Sequence, residues 1–313
     1  MARPVLALTG PTGTGKTDWA LRLAAILPLE VVSVDSALVY RGLDIGTAKP
    51  ARALRERVPH HLIDICEPTE IYSAGRFVDD ALALIAAIHA RGRLPLLVGG
   101  TMLYFRALIR GIAPLPQASP ALRQSIDERA ARDGWPALHA ELARLDPQSA
   151  ARIHPNDPQR IQRALEVRYA TGRPISELQA ATHSPLGDTP LGAWALVPAN
   201  RDTLSARLEL RFDEMMRLGF LDEVRGLRAR GDLTPTHPAV RAVGYRQLWE
   251  HLDGQFPLPE AVRRGIIATR QLAKRQMTWI RSDPGLTWVD PHSSGAYERW
   301  SENVVEWLRP FGR

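Results

Sequence analysis

Gly10-Pro11-Thr12-Gly13-Thr14-Gly15-Lys16-Thr17 is the stretch of this sequence that decides the fold. It fits the pattern G-x-x-x-x-G-K-[ST], which is typical of a phosphate-binding loop (P-loop). The apolar run from Val5 to Leu8 precedes it as a buried strand would, and apolar residues recur at helical spacing between Asp18 and Leu27. Because a strand, a glycine loop and a helix are the context that the motif requires, the sequence favours a functional P-loop over a chance match.

The P-loop predicts a binding site for a di- or triphosphate. Its glycines let the backbone curl so that successive N–H groups point at an anion, and the following helix adds its positive N-terminal end. Lys16 supplies a mobile positive charge, and Thr17 supplies a hydroxyl for Mg²⁺, the cofactor that we expect.

The composition is that of an ordinary globular protein with a basic excess. Of the 313 residues, 45% are hydrophobic and 24% are charged, and the formal charge of +6 permits an anionic partner. No apolar run approaches the roughly 18 residues of a membrane span, and no secretory signal precedes the P-loop, so we expect a cytoplasmic protein without a membrane partner. The single cysteine, Cys66, excludes an internal disulfide, and the histidines show no zinc-ligand spacing.

Lysine is rare in this sequence. Only three of the 40 basic residues are lysines, namely Lys16, Lys49 and Lys274. The arginine bias weakens any argument from the number of arginines alone. It also makes the three lysines candidates for positions where arginine would not serve, as in a P-loop, which needs a compact ammonium on a flexible stem.

A carboxylate ends the second apolar strand, Glu30 to Ser36. In open α/β sheets ligands bind at the carboxyl ends of the strands, so we expect Asp35 to face the phosphates of the P-loop. The plainer interpretation of Asp35, as a residue that caps a turn or a helix, stays open. The polar loop of residues 37–50 that follows is long enough to fold over a site.

The strand from Leu94 to Thr101 departs from the pattern of nucleotide hydrolases. Those enzymes usually end their second core strand in an acid that holds Mg²⁺, whereas this strand ends in Gly99-Gly100-Thr101. Either Asp35 supplies the carboxylate, as in some small kinases, or the phosphate chemistry is not hydrolysis.

The remaining patterns complete an α/β fold, in which a P-loop NTPase-like parallel sheet is flanked by helices and carries a helical insertion domain. A third strand is predicted from His61 to Cys66, and a helix from Ser73 to Ala90. We predict the core over residues 1–112 and 192–313, and the insertion over residues 113–191.

The insertion opens with a linker-like segment, residues 113–120. Its predicted helices lie near residues 121–131, 136–145 and 157–170, with Asp157 as the N-cap of the last. Arginines on that helix are either solvated surface or contacts to a phosphate backbone.

Positive charge is concentrated between Arg241 and Arg281, which enclose eight basic and three acidic residues when counted with them. Aromatic and amide side chains, among them Tyr245, Gln276 and Trp279, are interleaved with these cations. This combination suits an RNA strand, whose bases stack and whose phosphates pair with cations. A basic amphipathic helix that closes over the sheet is the plainer alternative.

Six stretches together resemble one family, the bacterial tRNA dimethylallyltransferases (tRNA isopentenyltransferases). They are GPTGTGKT (10–17), VDSALVYRGLDIGTAKP (34–50), LLVGGTMLY (96–104), RIHPNDPQRIQRALEV (152–167), RAVGYRQ (241–247) and TRQLAKRQMTWIR (269–281). They occur in the order of the family and span nearly the whole chain. A generic P-loop enzyme would lack the later ones.

The resemblance implies transfer of a dimethylallyl group from its diphosphate to N6 of the adenosine immediately 3′ of the anticodon, in tRNAs that read codons beginning with U. The P-loop then holds the diphosphate as a leaving group, with Mg²⁺ near Thr17. Asp35 is placed to act as general base and Thr101 to orient substrate. An arginine on the helix after the insertion assists in the family, for which Arg207 is the first choice and Arg211 the second.

The resemblance also implies that the adenosine is flipped out of the anticodon stack of the tRNA. Many relatives carry Met-Gln where this chain has Ala37-Leu38, so Leu38 can pack against a base but cannot hydrogen-bond to it. We expect a monomer. The implied tRNA contacts are Asp35, Ser36, Ala37, Leu38, Thr101, Arg123, Gln159, Arg160, Ile161, Gln162, Arg163, Arg241, Ala242, Val243, Gly244, Tyr245, Arg246, Lys274, Arg275, Gln276, Met277, Thr278, Trp279, Ile280 and Arg281.

Two other functions stay open at this point. A small-molecule P-loop kinase would explain residues 1–50 equally well and would consume ATP, but it leaves the later stretches without a role. A non-catalytic or ATP-driven RNA-binding protein would need only the basic C-terminal third, and its function would survive the change Asp35→Asn.

Overall fold

The computed structural model describes residues 3–113, 115, 119–180 and 182–312. By packing, the chain divides into two compact units, the first formed by Met1–Phe105 with Asp188–Arg313 and the second by Arg106–Gly187. Residues 114 and 116–118 of the predicted linker lie outside the described residues. The assignment of the second unit to tRNA contact, and its predicted boundaries after residues 112 and 191, stay predictions.

The first unit is built on a six-stranded parallel sheet, with the strand order β3-β2-β4-β1-β5-β6. Every residue of β1, β2 and β4 is buried, which explains why these strands are near-continuous apolar runs in the sequence. The fold class predicted from the sequence is therefore confirmed. The strands are β1 (Val5–Thr9), β2 (Leu29–Val34), β3 (His60–His61), β4 (Leu94–Gly99), β5 (Leu191–Leu196) and β6 (Thr287–Val289).

Helices flank the sheet and make up the second unit. In chain order they are α1 (Lys16–Ala24), α2 (Arg52–Arg57), α3 (Ala74–Ala90), α4 (Met102–Arg110), α5 (Pro120–Asp133), α6 (Trp135–Leu145), α7 (Pro147–Ala150), α8 (Pro158–Thr171), α9 (Ile175–Ala180), α10 (Arg201–Arg217), α11 (Phe220–Ala229), α12 (Tyr245–Leu252), α13 (Leu258–Arg281) and α14 (Ala296–Leu308), with a 3₁₀ helix at Arg309–Phe311. None of the helices in the described part of the chain is both long and apolar enough to cross a membrane.

The second unit is the helical insertion that the sequence predicts. Its core contains Ile126, Leu138, Leu142 and Leu165. The Asp157 side chain accepts a hydrogen bond from the Arg160 N–H and so caps α8, as predicted. The sequence patterns missed α7 and α9, because helices of four and six residues are too short to show a period.

The predicted strand from His61 to Cys66 is wrong beyond its first residue. Strand β3 ends at His61, and the next residues turn, since Leu62 and Asp64 have left-handed φ values of 61° and 56°. Leu62 is nevertheless buried, and Cys66 makes an isolated bridge with Tyr40. The apolar pattern of residues 62–66 therefore indicates buried side chains and not a continuous β-strand.

Lys49 anchors the loop of residues 37–50. Its Nζ donates hydrogen bonds to the Tyr40 carbonyl (2.9 Å), Asp44 (2.6 Å) and Asp64 (2.5 Å), and its side chain is only 3% exposed. Three acceptors converge on one ammonium, which has three donors. This geometry explains why a lysine stands here in an arginine-rich chain, since a planar guanidinium would not fit the same three acceptors.

We expect the change Lys49→Met to lower the free energy of unfolding by about 2–3 kcal/mol, because it leaves Asp64 and a carbonyl without their buried partner. Lys49→Arg should also destabilise the protein. Denaturant unfolding monitored by circular dichroism measures the change. The control is Arg52→Ala, which breaks an exposed pair with Glu56 and should have no measurable effect. An equally stable Lys49→Met variant would contradict the anchoring role.

Candidate active site

The carboxyl ends of the three central strands lie side by side. Val34 of β2 is level with Gly99 of β4, and Gly99 is level with Thr9 of β1. Three segments therefore lie side by side at the carboxyl ends of these strands, which we call the carboxyl edge of the sheet. They begin at Asp35, Gly100 and Gly10. The sequence predicted this meeting of the P-loop, Asp35 and Thr101.

The P-loop has the backbone that its glycines predict. Gly13 and Gly15 have φ values of 82° and 87°, which side-chain-bearing residues rarely adopt. Lys16 Nζ donates hydrogen bonds to the Gly10 carbonyl (2.9 Å) and the Pro11 carbonyl (2.8 Å). Gly15 is the N-cap of α1, and Thr17 lies exposed in its first turn. The lysine is thus held at the start of a helix, where an anion is favoured.

Asp35 performs the structural role of a turn cap, and this role does not use its whole carboxylate. Oδ1 accepts hydrogen bonds from the N–H groups of Ala37 (2.8 Å) and Leu38 (3.2 Å). Among the residues that the structure describes, none donates to Oδ2. Thr101 supports the same turn, because its hydroxyl accepts from the Ser36 N–H (3.0 Å) and donates to the Ser36 hydroxyl (3.3 Å). The turn therefore fixes the orientation of a carboxylate that keeps one oxygen for other partners.

A cavity of about 520 Å³ adjoins this edge, and both Asp35 and Arg211 line it. Its volume is that of a typical small-molecule site. Arg211 is half-buried on α10, whereas Arg207, one turn earlier, is exposed. Burial lowers the pKa of the Arg211 guanidinium, which Asp35 raises and Arg207 lowers to a smaller extent.

The charges of Arg211 and Asp35 also affect Lys16 of the P-loop. Burial lowers the pKa of Lys16 to about 7, with a further lowering by Arg211 and an opposite effect of Asp35. Arg211, Lys16 and Asp35 therefore form one charged cluster in the first unit. The structure includes Arg211, and not Arg207, among the residues that line the cavity.

About half of the predicted site residues of the first unit line the cavity. Sequence reasoning missed its apolar wall, although Met102 and Leu103 directly follow Thr101. The predicted residues in the lining are Thr12, Asp35, Ser36, Ala37, Thr101, Arg211, Arg241, Ala242, Val243, Tyr245, Arg275, Gln276 and Trp279, and the missed apolar residues are Met102, Leu103, Leu208, Phe212, Met215 and Leu272.

Several predicted tRNA contacts are buried residues, which offer little side-chain surface to an RNA. Ile161 packs in the core of the second unit, and Met277 and Ile280 are buried on α13. Gly244 is buried before α12. The Tyr245 ring is 1% exposed and its hydroxyl donates to Glu223, so little of it is left for RNA. These residues hold the helices together.

The other predicted contacts on α12 and α13 are accessible. Arg246 is exposed and pairs with Glu250, and it lines a second, smaller cavity together with Arg241. The remaining three, all exposed on α13, are Lys274, Thr278 and Arg281.

The predicted contacts of the second unit lie on α5 and α8. Buried Glu166 binds both Arg123 Nε (2.8 Å) and Arg163 (3.3 Å), which holds these two helices side by side. Gln162 donates to Asp127 at 2.6 Å. Gln159 and Arg160 are exposed at the start of α8.

Comparison with known proteins now decides the family. The family model described as IPP transferase matches residues 38–283. A tRNA dimethylallyltransferase of Methylococcus capsulatus is 57% identical over 302 residues, 96% of each chain. One of Alkalilimnicola ehrlichii is 58% identical over 292 residues, which are 93% of this chain and 92% of the relative. The chain belongs to the IPP transferase family.

Solved structures of similar proteins extend the match to the whole fold. The full-length tRNA isopentenylpyrophosphate transferase of Bacillus halodurans is 38% identical with a TM-score of 0.72, over 98% of this chain and 97% of the other. A eukaryotic dimethylallyltransferase acting on tRNA is 27% identical with a TM-score of 0.79, over 97% of this chain and 80% of the other. The P-loop, which precedes residue 38, lies within these matches.

In this IPP transferase family member, Glu223 holds the loop of residues 37–50 beside the cavity. Its carboxylate accepts hydrogen bonds from three successive N–H groups and from the Tyr245 hydroxyl, with donors Asp44 (3.0 Å), Ile45 (2.7 Å), Gly46 (3.1 Å) and Tyr245 (2.5 Å). A Cβ at Gly46 would lie 2.2 Å from the Phe220 ring, so only glycine fits. The loop is therefore fixed at both ends of the segment 44–49, by Glu223 and by Lys49.

We expect diphosphate binding to weaken as the pH rises above about 7, because the pKa of Lys16 lies there and only its charged form attracts an anion. Below this pH the lysine is already charged. Above it, binding must take up a proton, and the apparent affinity should fall by up to about tenfold per pH unit. Calorimetric titration of pyrophosphate with Mg²⁺ between pH 6 and 9, in two buffers of different ionisation enthalpy, measures both effects.

Lys16→Met is the control for this titration, because pyrophosphate itself also titrates. The variant should bind weakly and should show only the pH dependence of the ligand. A wild-type protein whose pH dependence matches that of Lys16→Met would contradict the prediction.

Proposed function

We propose that this protein transfers a dimethylallyl group from dimethylallyl diphosphate to N6 of the adenosine 3′-adjacent to the anticodon, in tRNAs that read codons beginning with U, and releases diphosphate. The relatives are named for this transfer to tRNA. The observation that carries the proposal is one cavity that joins the P-loop edge, the Asp35 carboxylate, Arg211 and an apolar wall.

The diphosphate acts as the leaving group. Breaking its bond to the allylic carbon puts negative charge on the departing oxygen, and fixed cations and N–H groups stabilise such charge. The N–H groups of the P-loop, Lys16 and Arg211 supply this stabilisation. A leaving group needs no attacking water, so the site holds the diphosphate without the hydrolytic chemistry of nucleotide hydrolases.

The apolar wall is suited to the dimethylallyl group. Leu208, Phe212 and Met215 come from one side of α10, and Met102 and Leu103 from the start of α4. Leu103 is 51% exposed and lines the cavity, so it offers apolar surface that a ligand can cover. A five-carbon hydrocarbon covers such a surface and excludes water from the reacting carbon.

Asp35 serves as the general base. As N6 attacks the allylic carbon, a C–N bond forms, the C–O bond to the diphosphate breaks, and N6 loses one proton. Asp35 Oδ2 accepts that proton, while Oδ1 keeps the carboxylate oriented through Ala37 and Leu38. Thr101 maintains the same turn and lies in the cavity wall.

Mg²⁺ fits this site together with the diphosphate. The Thr17 hydroxyl, exposed in the first turn of α1, is an oxygen ligand of the kind that Mg²⁺ accepts. The described residues contain no group of three His, Cys, Asp or Glu side chains that could hold a metal alone. When bound, the ion supplies positive charge that offsets the charge of the leaving diphosphate.

The RNA enters from the side of α12 and α13. Arg241 and Arg275 are exposed and line the cavity together with Trp279. Cations bind phosphates and an indole stacks on bases, so this rim receives an adenosine flipped out of the anticodon stack. In the second unit, exposed Gln159 and Arg160 are further proposed RNA contacts. The kinase alternative is not favoured, because it leaves this rim without a role.

The first test is transfer from labelled dimethylallyl diphosphate to an anticodon stem-loop with adenosine beside the anticodon, with Mg²⁺ and without ATP. We expect the wild type to transfer the label, and Asp35→Asn to lose about a hundredfold or more in kcat with RNA binding retained. Asp79→Asn, an exposed carboxylate on α3, is the matched control. ATP hydrolysis without any transfer would sink the proposal and support the kinase.

Arg211 and Arg207 should differ strongly when each is replaced by glutamine. Arg211 lines the cavity and is coupled to Lys16, so Arg211→Gln should lower kcat about 100- to 1000-fold. Arg207 is exposed and its charge is screened, so Arg207→Gln should cost less than about tenfold. The same transfer assay measures both, and a larger loss in Arg207→Gln would restore the order that the sequence alone suggested.

A further inference from the structure

Gln276 is a buried polar residue of α13, and a role in RNA contact does not explain its burial. It is 8% exposed, although its neighbours Lys274 and Arg275 are exposed. We propose that Gln276 is a positioning residue, which fixes the P-loop and so sets the affinity for the diphosphate substrate. The inference rests on the proposed function, because it assigns the diphosphate to that loop.

Both ends of the Gln276 carboxamide are used. Oε1 accepts a hydrogen bond from the Thr12 N–H at 2.9 Å, and Nε2 donates one to the Gly100 carbonyl at 2.8 Å. Since a backbone N–H can only donate and a carbonyl can only accept, the orientation of the carboxamide is unambiguous. Gln276 therefore joins the P-loop after β1 to the turn after β4.

Gly100 and Gly13 lie beside these contacts, and side chains of α13 and α10 occupy the space that a larger residue would need at each position. A Cβ at Gly100 would lie 2.4 Å from Gln276 Nε2, so the space of a side chain at position 100 is occupied by the carboxamide. A Cβ at Gly13 would lie 2.8 Å from Leu208 Cδ2 of α10. The tip of the P-loop is thus shaped by side chains of α10 and α13.

The two hydrogen bonds of Gln276 tie the Thr12 N–H to the protein, so this N–H does not contact the anion. They also fix the conformation of the P-loop that binds the anion. Without them, the Thr12 peptide would lose its partner, and a glycine-rich loop has many other conformations. Helix α13 also carries Arg275 and Trp279, which line the cavity. One helix therefore holds the P-loop and borders the proposed path of the RNA.

The test uses the full-length protein and the change Gln276→Met, which keeps the length of the side chain and removes both hydrogen bonds. We expect the affinity for inorganic pyrophosphate with Mg²⁺, measured by calorimetry without RNA, to fall about tenfold or more. The affinity for the anticodon stem-loop, measured without pyrophosphate, should be unchanged. In steady state, KM for dimethylallyl diphosphate should rise while KM for the RNA stays the same.

Gln271→Met is the matched control, because it makes the same change at an exposed position of the same helix and should leave pyrophosphate affinity unchanged. Gly100→Ala is an independent second variant. Its Cβ would displace the carboxamide, so it should reproduce the selective loss of pyrophosphate affinity even if Gln276→Met fails to fold.

Two results would overturn the inference. One is a folded Gln276→Met or Gly100→Ala protein that binds pyrophosphate like the wild type. The other is a loss confined to RNA affinity, which would make Gln276 an RNA contact. A different result would contradict only the proposed function. In that case Gln276→Met weakens pyrophosphate binding, but the wild type transfers no dimethylallyl group.

Discussion

The close approach of backbone segments at the carboxyl edge of the sheet is the constraint on which the rest of the site depends. A Cβ at Gly99 would lie 2.0 Å from the Val34 carbonyl oxygen, and one at Gly10 would lie 2.8 Å from that of Leu196. Because these positions carry no side chain, the P-loop, Asp35 and Thr101 can follow neighbouring strands with their backbones almost in contact. The Gly-Gly pair that stands where nucleotide hydrolases have an acid is therefore explained by packing.

Two helices from the far end of the sequence turn this open edge into a cavity. Helix α10 contributes Arg211 and an apolar surface, and α13 contributes Gln276 and two residues of the proposed RNA rim. Arg270 of α13 pairs with Glu209 of α10 at 2.5 Å, which joins the two helices. The proposed sites for the anion, the hydrocarbon and the RNA therefore share these two helices, and a common support favours a reaction between two different substrates.

The sequence predicted most of the fold and the centre of the site, because their signals are local. The P-loop, the buried strands and Asp35 at a strand end each follow from a few adjacent residues. Gln276 could not be predicted in this way, since its partners are 264 and 176 residues away in the chain and its neighbours suggest RNA contact. Likewise, Arg207 and Arg211 are four residues apart on one helix, and only packing against distant residues separates them.

The charge of the site explains how folding and ligand binding are related. Lys16 and Arg211 are cations with lowered pKa values, so their burial disfavours the charged forms that an anion needs. The surrounding structure partly offsets this burial, because the Gly10 and Pro11 carbonyls accept hydrogen bonds from Lys16 and the Asp35 carboxylate raises both pKa values. An anion such as a diphosphate offsets both charges at once, and any ligand that binds only the folded state stabilises it. The burial of two cations thus destabilises the site without a ligand and favours the binding of an anion.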